Sequence, residues 1–358
     1  MKVIKNVIIC NRPDDEFGFF GWPSIARQAD GTLIAASSGL RSEHVCPWGK
    51  TVIFKSLDNG NSWSGPMVVN NTPLDDRDAG IISLGGQRLA LTWFTSNTFD
   101  YKKQYKDPQT GLWQENFRKT GAVLDMWDDE LVNKYFGSWV RVSPDGEYWG
   151  EMRRVPVNSP HGFTVLKDGS WLYFGKLWPQ ANGLATHLTH DLPVTAALST
   201  DEGRNWEILG SVPDTSVEED MACEAHVTEL ADGTLLGAIR IDKPYRTVFS
   251  RSVDGGRSWS AMEETPIKSA PPHLMCHSSG AVICSYGYRF EPYGQRVSVS
   301  FDGGKNFDNE LILRSDAQDG DLGYAATAEM ADGKLFTVYY QPVKMGNPAA
   351  LQGTIWEL

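Results

Sequence analysis

Short runs in which apolar and polar residues alternate recur along the chain: KTVIFKS at 50–56, VTAALS at 194–199, RTVFSRS at 246–252 and RVSVS at 296–300. A period of two marks a strand with one buried face. Each run leads into a near-copy of one string, SLDNGNSW (56–63), STDEGRNW (199–206), SVDGGRSW (252–259) or SFDGGKNF (300–307). Upstream lies a second signature, an apolar pair, Asp-Gly and further apolar residues, as in ARQADGTLIAA (26–36), TVLKDGSWLYF (164–174), TELADGTLLGAI (228–239) and AEMADGKLFTVYY (328–340). Asp-Gly between β-rich runs predicts a two-residue hairpin turn with positive φ tolerated at both positions.

The repeating unit is therefore strand, Asp-Gly turn, strand, loop, strand, Asp-box turn, strand, and such a four-stranded antiparallel sheet is the blade of a propeller. First strands are expected near 22–28, 79–84, 161–166, 225–230, 272–277 and 324–330, which makes an all-β, six-bladed β-propeller spanning 1–358 as one domain. The second blade has an insertion at about 95–140 and a shortened box, SPDGEYW (143–149); the sixth has no box. KVIKNVII (2–9) is expected to close the ring by joining the last blade, which removes an exposed edge. Two β-sandwiches are the competing architecture, and the regular unit length and the missing linker count against them. Within each box, Gly supplies a left-handed backbone, Asp accepts turn amide protons, and the aromatic packs between sheets.

Composition narrows the partners. With 41% hydrophobic residues in 358, the chain can bury a large core, and a net charge of −12 argues against a sequence-independent grip on nucleic acid. The apolar run before Asn11 is too short for a secretory or membrane-spanning segment, so a cytoplasmic protein without a membrane partner is expected. Five cysteines without CxxC spacing read as reduced core residues. The oligomeric state has no sequence signature.

In a propeller the first strands line the central channel, so their starts converge. In chain order those starts are GWPS, DDRDAG, SPHGF, CEAHV, PPHL and GYAA, which contribute Trp22, Arg77 with Asp78, His161, Glu224 with His226, His273, and Tyr324. Arg41 with Glu43 and His44, Arg240, Arg289 and Arg296 follow from second strands and the loops beyond them. Several guanidinium groups converging on a channel suit an anionic substrate, because arginine reads a carboxylate bidentately. Neither HExxH nor EF-hand spacing occurs, and no phosphate loop or nucleophile elbow, so no metal and no cofactor is expected.

These segments resemble the sialidase superfamily over nearly the whole chain. The resemblance implies a tyrosine nucleophile at Tyr324 paired with Glu224, and carboxylate-binding arginines at Arg240 and Arg296. Two positions depart from the pattern: Gly21 stands where the family has its first arginine, and SEHVCPWG (42–49) lacks the acid/base aspartate, leaving Glu43 or His44. The implied function is a sialidase-like glycoside hydrolase releasing a terminal acidic sugar from a glycan. In that reading Trp22 offers a stacking face, and Arg41, Arg77, Asp78, Arg289 and the three histidines line the pocket. Alternatives are a lyase or non-sialidase glycosidase using His and Tyr on uronate-containing sugars, and a non-catalytic carbohydrate-binding propeller.

Overall fold

The computed structural model describes residues 1–96, 121–178, 192–213, 222–242 and 245–358. Six sheets are arranged as the repeats predict, each running from an inner strand outward. Inner strands are Phe19–Arg27, Asp75–Ser83, the pair Val157–Asn158 and Thr164–Val165, Ala222–Glu229, Pro272–Cys276 and Gly323–Glu329. In blade 3 the inner strand is split at Ser159–Phe163, and both pieces pair with Trp171–Leu177.

Closure follows the expected route: Lys2–Cys10 pairs antiparallel with Ala349–Glu357 as the outermost strand of blade 6. The core is distributed, since six buried apolar clusters lie one to each blade–blade interface. Box aromatics bridge these interfaces. Trp259 of blade 4 stacks on Phe174 of blade 3 with centroids 4.3 Å apart, and Trp63 of blade 1 meets Phe336 of blade 6 at 5.2 Å.

Each box closes on itself through its aspartate. Asp254 Oδ1 accepts from Ser252 Oγ and from the amides of Arg257 and Ser258, while Trp259 Nε1 donates to Gly256 O. These bonds hold the Asp254 carboxyl at about 2.

The Asp-Gly hairpins differ from expectation. In blade 4, Gly233 N–H bonds Leu230 O and Leu230 N–H bonds Thr234 O, and only Gly233 has positive φ, at 88°. The loop is thus three residues long, a type I turn followed by a left-handed glycine. Asp232 caps it by accepting from Thr234 N–H rather than by adopting positive φ itself.

Of the insertion, residues 97–120 lie outside the described residues. Its end forms a short helix, Asp129–Tyr135, capped by Asp128, and Leu124, Trp127 and Phe136 bury against Leu74 beside it. All five cysteines are free; Cys46 and Cys284 are buried as expected, whereas Cys276 is exposed. No helix among the described residues is long and apolar enough to cross a membrane.

Candidate active site

The inner strands of blades 1, 2, 4 and 6 share one irregularity. In each, three residue steps on the inner strand oppose two on its neighbour, between Gly21 and Ser24, Arg77 and Gly80, Ala222 and Ala225, and Gly323 and Ala326. Such bulges turn a side chain out of the alternating pattern. Trp22, Asp78 and Tyr324 occupy the same place within three of them, with φ of 52°, 53° and 50°. Left-handed φ at a bulky L-residue is strained and persists only where surrounding packing imposes it.

Blade 4 supplies the partner of Tyr324 from its own bulge. Tyr324 Oη donates to Glu224 Oε1, and Arg240 Nη1 donates to Glu224 Oε2 at 2.5 Å while lying 3.5 Å from the phenol oxygen. The other edge of Arg240 binds Asp242 Oδ1 at 2.9 and 2.6 Å. Burial, reinforced by the charges of Glu224 and Asp78, pushes the Tyr324 phenol well above its ordinary pKa. The phenol is therefore the neutral, donating partner in its bond to Glu224. Burial and the Glu224 charge likewise push Asp78 up to about 7, against Arg77, Arg41 and Arg240.

Arg289 completes this side. Its guanidinium lies 5.8 Å from the Tyr324 ring centroid and the same distance from Tyr245, and Nη2 donates to Leu322 O. Arg296 is not part of the group. Its side chain turns along the third strand of blade 5 to Glu310, at 2.8 Å, and stacks over Tyr288. The expectation that Arg296 joins Tyr324 is thereby corrected in favour of Arg289, which sits where the second strand of blade 5 ends.

Two further expectations need correction. Trp22 is 1% exposed, with Arg41 and Arg77 guanidinium carbons 4.8 and 4.3 Å from its centroid and the His44 ring edge-on at 4.8 Å, so it has no open face for a sugar. Arg41 is fully buried and spends its donors inside the protein. Its Nη atoms grip both oxygens of Asp75 at 2.6 and 2.9 Å, and the guanidinium also donates to the carbonyls of Glu43 and His44. Such a saturated guanidinium cannot also hold a substrate carboxylate.

His44 sits at the rim with its side chain 43% exposed. Its Nδ1 lies 3.0 and 3.1 Å from the two oxygens of Asp321, and Tyr340 Oη donates to Asp321 at 2.7 Å. Asp321 and Tyr340 escaped the sequence reading because the first lies in a connecting loop and the second in the apolar run LFTVYY. The first had one available signal, an acidic residue three positions before Tyr324.

His161, His226 and His273 do converge, with ring centroids 4.6 to 5.8 Å apart. They stand deeper on the axis, His161 being 6.4 Å from Tyr324, at one end of a cavity of about 480 Å³. That cavity runs along the inner strands toward Lys167 and Cys276, away from the bulges. Burial lowers the proton affinity of all three. Leu274 N–H donates to Nδ1 of His226 and Thr327 N–H to Nδ1 of His273, which fixes the neutral rings as Nε2–H tautomers. Two of the three thus point no lone pair at a shared metal. Among the described residues no group of three or more His, Cys, Asp or Glu is placed to hold one.

Residues 117–337 match the BNR repeat-like domain family. The chain belongs to that family. No curated protein matches the chain. Among solved structures it resembles a protein of unknown function from Dyadobacter fermentans DSM 18053, at 21% identity and TM-score 0.77, covering 100% of this chain and 99% of that one. It also resembles the Hadza microbial sialidase Hz136 (15%, TM-score 0.65, 96% and 67%) and an α-L-arabinanase from Penicillium chrysogenum (13%, TM-score 0.61, 100% and 99%). This BNR propeller thus shares its fold with glycoside hydrolases.

Proposed function

We propose that the protein is a glycoside hydrolase releasing a terminal acidic sugar, with Tyr324 as nucleophile. The observation that carries this reading is the contact of Tyr324, Glu224 and Arg240, which come from blades 6 and 4, with Arg289 of blade 5 alongside. A sugar whose anomeric carbon bears a carboxylate repels a carboxylate nucleophile. A neutral phenol that surrenders its proton to Glu224 as it attacks avoids that repulsion. Arg289 holds the sugar carboxylate, and Arg240, whose own bonds orient Glu224, adds its positive charge beside Tyr324.

In the first displacement the Tyr324 oxygen bonds to the anomeric carbon, the glycosidic C–O bond breaks, Glu224 takes the phenol proton, and His44, entering as imidazolium with Nδ1–H on Asp321, gives its Nε2 proton to the leaving oxygen and becomes neutral. In the second, water adds to the anomeric carbon, its proton passes to His44, the aryl ether bond breaks and Tyr324 recovers its proton from Glu224. Two displacements retain the anomeric configuration. His44 is preferred to Glu43 as acid/base because Asp321 orients its ring.

The test is a panel of sialic acid and uronic acid glycosides assayed for released sugar. Hydrolysis of at least one, abolished in Tyr324→Phe with unchanged thermal unfolding, is the expected result. A product with ultraviolet absorbance from a new double bond would replace hydrolysis by elimination. Binding without turnover across the panel would make the propeller a lectin.

A further inference from the structure

The loop 42–49 that carries His44 is mounted from beneath by a buried ion pair. Arg41 and Asp75 are both 0% exposed, and their two-bond contact joins the second strand of blade 1 to the inner strand of blade 2. The same guanidinium collects loop carbonyls, donating to Glu43 O at 3.3 Å and His44 O at 3.0 Å. A buried charge pair is justified energetically only when its remaining donors are satisfied, and here the loop carbonyls and Ser38 Oγ satisfy them. Gly49 leaves the room this requires: a Cβ there would lie 1.9 Å from Arg41 Nη1 and 2.2 Å from Asp75 Oδ1. Its own carbonyl accepts from Asp76 N–H, tying the end of the loop to blade 2.

The ring of His44 is fixed separately, from blade 6. An ionised carboxylate only accepts, so Asp321 keeps one proton on Nδ1 and leaves Nε2, protonated in the imidazolium and bare in the neutral ring, as the atom that gives and takes the second proton. Asp321 is held in turn by Tyr340 Oη and by its own amide, which donates to Asp319. Phe19 and Trp22 wall the ring at 6.2 and 4.8 Å.

We infer that Arg41, Asp75 and Gly49, together with Asp321 and Tyr340, are positioning residues that make His44 the proton-transfer group of this site. The backbone of His44 is set by one group and its tautomer by the other. This rests on the hydrolytic reading above, and it changes the meaning of Arg41 from a substrate contact to a mounting for His44.

The charged groups facing the ring are Asp321 from the loop before the inner strand of blade 6, Arg77 from blade 2 and Arg41 from blade 1. Desolvation lowers the proton affinity of His44, Asp321 raises it, and the two arginines lower it. Replacing Asp321 with Asn removes the only one of these charges that favours imidazolium. The pH limb on which His44 loses its proton therefore moves to lower pH.

The experiment compares wild type, Asp321→Asn, Gly49→Ala and His44→Gln on two glycosides of the same acidic sugar. One has a phenolic leaving group that departs without protonation, and the other is linked to an alcohol. The alcohol-linked substrate should lose kcat/KM, which reports the first displacement, in Asp321→Asn by roughly 10²-fold, the lower edge of what positioned proton transfer contributes. The phenolic substrate should be affected less than about tenfold in this first step. Gly49→Ala should reproduce this split with no substrate contact removed. Adding Asp321→Asn to His44→Gln should cost nothing further, since the residue acts through His44.

Equal losses on both substrates, no shift of the pH limb, or additive losses in the double variant would overturn the positioning role while leaving a Tyr324 hydrolase intact. If wild type cleaves neither substrate, it is the hydrolytic reading that fails.

Discussion

Box hairpins and inner-strand bulges are both repeated backbone devices, and they treat side chains in opposite ways. At the boxes the residues repeat with the backbone: Ser56, Ser199, Ser252 and Ser300 donate to Asp58, Asp201, Asp254 and Asp302 in the same manner. At the bulges the register repeats while the residues diverge into Trp22, Asp78, Cys223 with Glu224, and Tyr324. A device that recurs with its residues serves the blade. One that recurs without them holds groups chosen individually, and in this ring those groups converge near the axis.

Substitutions can break that contrast or sharpen it. The largest effect is expected at Tyr324→Phe: kcat/KM on the acidic glycoside should fall by on the order of 10³-fold or more, with thermal unfolding unchanged. A variant of near wild-type rate would return Tyr324 to the structural class. Arg289→Ala removes one guanidinium and should cost about 10- to 100-fold in kcat/KM, which corresponds to roughly 1.5–3 kcal/mol for a charge-assisted hydrogen bond. Arg296→Ala, which removes the Glu310 contact of blade 5, should leave kcat/KM within about threefold. If the two results exchange, the clamp has been assigned to the wrong arginine.

Asp78→Asn probes the strain at a bulge by stability. The folded chain keeps this carboxyl protonated up to about 7, whereas an unfolded chain releases the proton near 3.8. Stability from this group is full below about pH 4 and lost as pH rises through 7. The asparagine variant should therefore melt higher than wild type at pH 8, with the difference shrinking toward pH 4 in a thermal scan. The smallest effect belongs to the boxes. Asp254→Asn should lower the melting temperature slightly at pH 7 and leave kcat intact. Its carboxyl is held down near 2, so its contribution is present above 3.8 and fades as the pH falls toward 2. The variant and wild type should converge there.

Much of the ring was legible because strand periodicity and box residues are local. The closing strand, the places of the six inner strands and the convergence of Glu224 and Tyr324 follow from repeat order, and the pairing of these two with Arg240 from the resemblance to sialidases. What stayed hidden depends on direction and partners. Arg289 and Arg296 flank the same hairpin of blade 5, and only the fold shows that one reaches Tyr324 while the other lies along Tyr288. Arg41 looked like a pocket arginine because the sequence cannot show Asp75 beneath it. The Asp-Gly turns were given one residue too few because hairpin length depends on where the cross-strand bonds close. Asp321 was missed because a lone carboxylate in a loop carries no periodicity.

The seam between blades 6 and 1 has a consequence for assembly. The His44–Asp321 contact spans it, and Trp22 of blade 1 packs there with Tyr340 and Tyr324 of blade 6. Because Lys2–Cys10 completes blade 6 by pairing with Ala349–Glu357, the ring is closed at this junction only when both strands are in place. An opened ring would part the His44–Asp321 contact while leaving the strand pairings within blades 1 to 5 unbroken, so that one contact reports whether the circle is shut.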